Sequence, residues 1–213
     1  MMRINKNILR ILILLFGVVS IAIVNFDTTA FYLLKPLTTI SILAYLIIFN
    51  NPSIKKYAKR IGLGLFFCLV GDVFLLFEAY FAYGLASFLI GHMFFLFAFI
   101  GLQGLQRAPT IITLLVLIAV VLFLLISPKL EMLFYPVLIY LIVIVLMSWQ
   151  GWALSLNIQL KNIRFLGLGV SLFLFSDALI AIDTFYVTFS FAQRVILISY
   201  WAAIYIIAQS ATK

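Results

Sequence analysis

The chain is a succession of long apolar stretches separated by short polar ones. Eight stretches each approach the roughly 20 residues that cross about 30 Å of hydrocarbon as a helix. They cover residues 8–24, 30–49, 61–79, 83–101, 109–126, 133–152, 162–182 and 191–208. The loops between them are too short to hold a soluble domain. The pattern therefore predicts an all-α, polytopic membrane protein of about eight transmembrane helices, which must itself carry any chemistry.

The composition supports the membrane class. Of the 213 residues, 67% are apolar and 9% are charged, which lies far outside the range of soluble domains. Because the eight stretches use most of the chain, we expect a single transmembrane domain over residues 1–213. The only cysteine, Cys68, excludes an intramolecular disulfide, and no motif indicates a cofactor.

The basic residues predict the orientation of the helices. If successive spans alternate in direction, most of the 14 Lys and Arg residues fall on one side of the membrane. These are Arg3, Lys6, Arg10, Lys55, Lys56, Lys59, Arg60, Arg107, Lys161, Arg164 and Lys213. The opposite side carries only Lys129 and Arg194, and Lys35 falls within the second span. The positive-inside rule then predicts a multi-pass protein of the cell inner membrane with both termini cytoplasmic.

The net charge of +8 is explained by this topology and by contact with anionic lipids at the cytoplasmic face. The basic residues are not interleaved as a nucleic-acid site would require. We therefore expect membrane lipids as partners and exclude nucleic acid.

Two aspartates lie inside apolar stretches, Asp72 after Val70-Gly71 and Asp177 after Phe175-Ser176. A charged side chain at the centre of a transmembrane helix costs about 2.5 to 3.5 kcal/mol on insertion scales. Such residues persist when they have a use, so both aspartates are candidate functional residues.

The two aspartates also suggest an internal duplication. Shifting the first half of the chain by 105 residues places Gly71-Asp72 on Ser176-Asp177. We therefore predict two parallel four-helix repeats, residues 1–104 and 105–213. Pseudo-two-fold symmetry about the membrane normal would bring the two aspartates to face each other.

Three further polar side chains fall with the aspartates in the central and outer parts of the predicted bilayer: Lys35, His92 and Tyr200. If Lys35, Asp72 and Asp177 were charged and unpaired, insertion would cost on the order of 8 to 10 kcal/mol, comparable with the total stability of a protein. These groups must be paired, neutralised or wetted by a cavity.

Five blocks of sequence resemble, in the same order, the signature blocks of the YhhN-like lysoplasmalogenase family. They are Lys35-Pro36-Leu37-Thr38-Thr39, Gly71-Asp72, Phe88-Leu89-Ile90-Gly91-His92, Phe175-Ser176-Asp177, and Ser199-Tyr200-Trp201 with Ala208-Gln209. The resemblance implies an eight-span membrane hydrolase that cleaves the vinyl ether bond of lysoplasmalogens to a fatty aldehyde and a glycerophospho head group. It also implies catalytic roles for Asp72 and Asp177.

The residue chemistry suits this reaction independently. A vinyl ether is hydrolysed by protonation of its alkenyl carbon, so the enzyme needs a general acid and a nearby negative charge, which two carboxylates in a low-dielectric site can supply. We expect Asp72 and Asp177 to form this pair, with His92 as proton relay or orienting group. The candidate substrate-binding residues are Lys35, Tyr200, Gln209 and Asp183.

Other interpretations of the same residues remain open. A transmembrane aspartate can be only a hydrogen-bonding partner between helices, and Asp72, Asp177 and His92 could instead hold zinc. A proton-coupled transporter of a small lipid-like molecule, or a lipid-binding protein without catalysis, would also carry polar residues at the midplane. No Gly-x-Ser-x-Gly motif is present, which argues against a serine hydrolase.

Overall fold

A computed structural model describes residues 5–158 and 162–213. Within these ranges the chain forms eight α-helices and no strand. They are α1 (Lys6–Ile23), α2 (Thr28–Phe49), α3 (Lys55–Phe74), α4 (Phe81–Gln103), α5 (Pro109–Ile126), α6 (Phe134–Asn157), α7 (Leu166–Phe185) and α8 (Ala192–Ser210). The predicted all-α class and the number of helices are confirmed. Two residues of the charge analysis, Arg3 and Lys161, lie outside the described ranges.

Seven of these eight helices are long and apolar enough to cross a membrane, so the chain is a multi-pass membrane protein. The exception is α3, because four of its first six residues are basic: Lys55, Lys56, Lys59 and Arg60. Only the remainder of this helix is apolar.

The predicted bounds of the third span were wrong. The sequence favours 61–79, whereas α3 starts at Lys55 and ends at Phe74. The chain then turns, and a short 3-10 segment, Glu78–Tyr80, precedes α4. Residues 75–80 contain no Gly or Pro that would indicate the end of the helix, so the apolar stretch identified from hydropathy continues past Phe74. As a result, Asp72 lies in the last turn of α3 and not near the middle of a span.

Six helices form a closed ring in which each contacts the next, in the order α2, α3, α4, α6, α7, α8 and back to α2. The other two helices lie outside this ring. Helix α1 packs on α2 and α8, while α5 packs on α6 and α7. The inner helices therefore enclose the space in which polar side chains can meet.

The tightest helix pair in the ring is α3 with α4, and glycines make the close approach possible. A Cβ atom at Gly91 of α4 would lie 3.1 Å from the carbonyl oxygen of Gly64 in α3. A Cβ atom at Gly71 would lie 2.6 Å from the ring of Phe88. Small residues of this kind allow the backbones of membrane helices to approach closely.

The first and last described residues meet at one end of the bundle. The Lys6 Nζ donates to the Lys213 carbonyl oxygen at 2.6 Å, and the Asn51 N–H donates to the Ala211 carbonyl oxygen at 2.9 Å. This contact agrees with an even number of spans, which places both ends of the described chain on one side of the membrane.

Candidate functional site

Asp72 is held by three side chains from two neighbouring helices. Its Oδ2 accepts hydrogen bonds from the Thr39 hydroxyl of α2 at 2.6 Å and from the Tyr200 hydroxyl of α8 at 2.8 Å. Its Oδ1 lies 3.9 Å from the Nζ of Lys35, also on α2. Thr39 and Lys35 point the same way because residues four apart share a helix face. The carboxylate is 1% exposed, so its two donors and one cation replace the solvation it has lost.

Asp177 has a sparser environment. Its Oδ2 accepts a hydrogen bond from the Tyr140 hydroxyl of α6, while Oδ1 accepts none from the described residues. The His92 Nε2 lies 3.8 Å from the Asp177 Oδ2, which is longer than a hydrogen bond. The side chain of Asp177 is 12% exposed, and one of its oxygens is therefore open to a ligand.

His92 is fully buried and lies behind Asp177. Its ring packs edge-on against Phe173, with centroids 4.6 Å apart, and against Tyr140 at 5.2 Å. Neither ring nitrogen has a hydrogen-bond partner among the described residues. The imidazole therefore restricts the space available to Asp177 without being hydrogen-bonded to it.

Both aspartates line one cavity of about 300 Å³ inside the helix ring. Its polar and charged wall consists of Lys35, Asp72, Asp177, Asp183, Thr184, Gln193 and Tyr200. Although Asp72 and Asp177 stand at different positions along their helices, they contribute to the same wall. The cavity thus offers two carboxylates, a lysine and a phenol to a single ligand.

One end of this cavity leads to a polar mouth. Asp183 and Gln193 line both the cavity and an adjoining pocket of about 340 Å³. Asn25, Thr188 and Ser190 complete the polar lining of that pocket. The Phe189 N–H donates to the Asp183 Oδ1 at 3.2 Å, which fixes this carboxylate at the entrance.

The other end leads from Asp177 into an apolar crevice between α4, α5, α6 and α7. Five residues line both the cavity and the crevice: Leu75, Phe81, Phe88, Asp177 and Ile180. The rest of the crevice is lined mainly by Leu, Ile, Val, Ala and Phe side chains, together with Tyr140. It is narrow, at about 50 Å³. An amphipathic ligand could therefore lie with its polar group at the mouth and its apolar part beyond Asp177.

Gln209 is the one predicted substrate-binding residue that the structure places away from the cavity. It lies nine residues after Tyr200 on α8, which is half a turn from it in direction and about 14 Å along the axis. It lines a different groove, between α1 and α8. By contrast, Lys35, Tyr200 and Asp183 all line the cavity.

Two residues in contact with the aspartates were missed in the sequence. Thr39 lies in the same sequence block as Lys35. Its four-residue spacing from Lys35 places both side chains on one helix face, and this spacing could have identified it. Tyr140 lies 105 residues after Lys35, the same interval that separates Asp72 from Asp177. Applying the repeat shift to Lys35 would have identified it.

The zinc alternative required Asp72, Asp177 and His92 to converge. Among residues 5–158 and 162–213, no three His, Cys, Asp or Glu side chains are grouped closely enough to hold a metal ion. Asp72 is engaged with Thr39 and Tyr200 and does not join the other two.

The YhhN family model matches residues 30–211, which is most of the chain. The match begins within α2 and includes every residue of the cavity wall. No solved structure matches the chain at a significant level.

Curated relatives carry the name lysoplasmalogenase. The chain is 35% identical over 144 residues to rat lysoplasmalogenase TMEM86B, which covers 68% of this chain and 58% of the rat protein. It is 32% identical over 165 residues to bovine lysoplasmalogenase TMEM86A, covering 73% of this chain and 66% of the bovine protein. A lysoplasmalogenase homolog of Dictyostelium discoideum is 45% identical over 71 residues, 33% of this chain and 22% of that protein. The chain thus spans less than two thirds of the length of these relatives.

Proposed function

Because the chain belongs to the YhhN family, we propose that it is a membrane-embedded hydrolase that cleaves the vinyl ether bond of lysoplasmalogens. The products are a fatty aldehyde and a glycerophospho head group. One observation carries the proposal: two carboxylates from different helices line a cavity that has a polar mouth at one end and an apolar crevice at the other. This arrangement matches the order of head group, reacting bond and hydrocarbon chain in a lysoplasmalogen.

The lipid enters with its alkenyl chain toward the crevice beyond Asp177. Its glycerophospho head group lies in the polar part of the cavity, where Lys35 is the only cation that the described residues contribute to the wall, and it meets the phosphate. Asp183 and Gln193 face the outer part of the head group. Because the crevice is narrow, the helices around it must separate, or the end of the alkenyl chain must extend between them into the bilayer.

Asp177 is the general acid. Its Oδ2 is occupied by the Tyr140 hydroxyl, whereas its Oδ1 is open to the cavity and free to carry a proton. It transfers this proton to the alkenyl carbon next to the one that bears oxygen. The π electrons form the new C–H bond, and an oxocarbenium ion results. General acid catalysis of this kind contributes about 10² to 10⁴ in rate.

Asp72 is the ionised carboxylate that stabilises this cation. Two hydroxyl donors contact one of its oxygens and the Lys35 ammonium faces the other, which is the setting of a charged carboxylate. Preorganised charge in a site that excludes bulk water is the strongest kind of transition-state stabilisation. Two carboxylates with different surroundings thus take two different roles.

Water completes the reaction. It adds to the oxocarbenium carbon and loses a proton to a carboxylate, which gives a hemiacetal. The hemiacetal then breaks its C–O bond to glycerol, so that the aldehyde leaves with the oxygen of water and the head group keeps its own oxygen as a hydroxyl. One proton enters on carbon and one returns to the site, so Asp177 is reprotonated without any cofactor.

His92 orients Asp177 in this mechanism. A proton relay would need a hydrogen-bonding partner on each ring nitrogen, and in the described part of the chain the imidazole has none on either side. Its packing against Phe173 and Tyr140 instead keeps the Asp177 carboxyl turned toward the cavity.

The enzyme reaches its substrate from the membrane in which it is embedded. We assign both termini to the cytoplasmic side and the protein to the cell inner membrane, since Lys6, Lys213 and the basic start of α3, which follows Asn51, lie at one end of the bundle. The polar mouth, at Asp183, then lies toward the opposite side.

The proposal is tested by incubating the purified protein with lysolipids that differ only at the first carbon chain: vinyl ether, saturated ether and acyl. Free aldehyde should form from the vinyl ether lipid alone. The variants Asp72→Asn and Asp177→Asn should each abolish its formation while remaining inserted and folded. Because both residues act in one step, the double variant should be no worse than either single variant.

Glu78→Gln is the matched control, since it makes the same chemical change at an exposed residue. It should keep full activity. Release of fatty acid from the acyl lipid, or no reaction with any of the three lipids, would overturn the proposal. Partial losses that add in the double variant would separate the two aspartates functionally.

A further inference from the structure

A large groove lies outside the helix ring, between α1 and α8. Its volume is about 760 Å³, within the range of ligand sites. The wall is mainly aliphatic and aromatic, formed by Ile13, Leu14, Gly17, Val18, Ile21, Ile198, Trp201, Ala202 and Tyr205. It shares no residue with the catalytic cavity, so the proposed hydrolysis does not account for it.

The polar residues of this groove lie at one end. Arg10 lines one end of the groove on α1, and Gln209, in the last turn of α8, lines the same end. Ile21 marks the other end of the groove on α1, 11 residues from Arg10. At 1.5 Å per residue the groove is about 16 Å long, close to half of a hydrocarbon core of about 30 Å. A polar end followed by an apolar channel one leaflet long has the shape of one lipid chain with its head group.

The charge at the polar end is uncompensated. Arg10 forms one side-chain hydrogen bond, from its Nη2 to the Tyr45 hydroxyl at 3.3 Å. The Lys6 Nζ lies 5.5 Å from the centre of the same Tyr45 ring. In the described ranges, the two ion pairs of the protein involve Asp72 and Asp177, and no Asp or Glu carboxylate lies within 4.0 Å of Arg10. The Lys6 Nζ is engaged in its hydrogen bond to the Lys213 main-chain oxygen, so Arg10 is the cation that attracts an anion.

We propose that the α1–α8 groove binds an anionic phospholipid. The phosphate is bound by Arg10, with Gln209 as a second donor, and one acyl chain lies along the groove toward Ile21. A zwitterionic lipid carries its own cation and gains less from Arg10. A single basic side chain near the membrane surface favours an anionic lipid by about fivefold.

Trp201 provides the probe, because it lines the groove and its indole N–H has no hydrogen-bond partner in the described part of the chain. The full-length protein is reconstituted in phosphatidylcholine bilayers that contain a small fraction of phosphatidylglycerol with brominated chains. A parallel sample contains the same fraction of brominated phosphatidylcholine. Bromine quenches tryptophan on contact, and subtracting the signal of a Trp201→Phe variant isolates Trp201. We expect the anionic lipid to quench Trp201 about five times more effectively per molecule.

Arg10→Gln should remove this preference, leaving equal quenching by the two lipids. Arg164→Gln is the matched control, since it removes the same charge from an exposed residue outside the groove, and it should keep the preference. Equal quenching in the unmodified protein, or loss of the preference in Arg164→Gln as well, would overturn the proposal. If neither lipid quenches Trp201, the groove is covered by something else, such as a second copy of the chain, and the proposal is equally wrong.

Discussion

Asp72 and Asp177 are chemically identical, and their neighbours give them different properties. Around Asp72, two hydroxyl donors and a lysine use both carboxylate oxygens. Around Asp177, one phenol uses one oxygen and leaves the other open to the cavity. The proposed division of labour between acid and anion rests on these contacts and not on the depth of either residue in the membrane.

Tyr140 positions the proposed acid, and its removal gives a prediction at this scale. Tyr140→Phe keeps the ring that lines the crevice but removes the hydrogen bond to Asp177. Asp177 becomes negatively charged as it gives up its proton, and a hydrogen bond to a charged group contributes about 1.5 to 3 kcal/mol. Without this bond in the transition state, kcat for lysoplasmalogen hydrolysis should fall by about 10- to 100-fold. KM should change little, since the contact with the alkenyl chain remains.

The control for this variant is Tyr135→Phe, because Tyr135 lies on the same helix and is 71% exposed. It should leave both constants unchanged. An unaltered kcat in Tyr140→Phe, with normal kcat in the control, would show that the Tyr140 hydroxyl does not position the acid.

Sequence reasoning found the charged residues of the site and Tyr200, and it missed two uncharged ones, Thr39 and Tyr140. Asp72, Asp177 and Lys35 are conspicuous because an ionisable group in an apolar stretch is costly. Tyr140 is one of ten tyrosines and is accompanied by 22 phenylalanines, so its hydroxyl carries no such signal. Gln209 was included because it belongs, with Tyr200, to the last block of the family resemblance, although half a turn of helix separates their directions.

At the scale of elements, the geometry of the site depends on the contact between α3 and α4. Phe88 of α4 packs against the Tyr200 ring, with centroids 5.7 Å apart, and it approaches α3 at Gly71. The glycines in this contact therefore set the distance between Asp72 and the wall that faces it. Hydropathy predicted both helices, but not the close packing or the end of α3 at Phe74, because both depend on the neighbouring helix.

Gly91→Ala should weaken this contact. The added methyl would lie 3.1 Å from the Gly64 carbonyl oxygen, and a backbone atom cannot move away without moving its helix. Overpacking of this kind costs about 1 to 3 kcal/mol. We expect a lower midpoint of thermal unfolding in detergent, measured as the loss of the helical circular dichroism signal.

Gly62→Ala is the matched substitution on α3. Its methyl would meet only the end of the Leu46 side chain, at 3.7 Å, and alanine favours the helix by up to about 1 kcal/mol over glycine. This variant should be as stable as the parent or slightly more stable. If both variants unfold at the same temperature, close α3–α4 packing does not limit stability.

At the scale of the whole molecule, the contacts follow the proposed duplication. Lys35 faces Asp72 from α2, and Tyr140 faces Asp177 from α6, with 105 residues between the members of each equivalent pair. The outer helices α1 and α5 each pack on the helix that follows them in the chain, α2 and α6. We propose that residues 1–104 and 105–213 are repeats that each contribute one carboxylate to a shared cavity.

The orientation of the whole chain is tested with topology reporters. Fusions after residue 213 and within residues 53–60 should both be cytoplasmic, because these positions carry the basic residues of the positive-rich side. A fusion within residues 186–190, beside the polar mouth, should give the opposite result. A periplasmic signal from either of the first two positions would contradict the assigned topology.

The measurement that tests the central claim most directly is hydrolysis of a lysoplasmalogen in heavy water, followed by mass spectrometry of the aldehyde. If Asp177 protonates the alkenyl carbon, each aldehyde carries one deuterium on the carbon next to its carbonyl group, and Asp177→Asn forms no product. The reaction should also be slower than in ordinary water. An aldehyde without deuterium at that carbon, or labelled product formed at the normal rate by Asp177→Asn, would contradict the account.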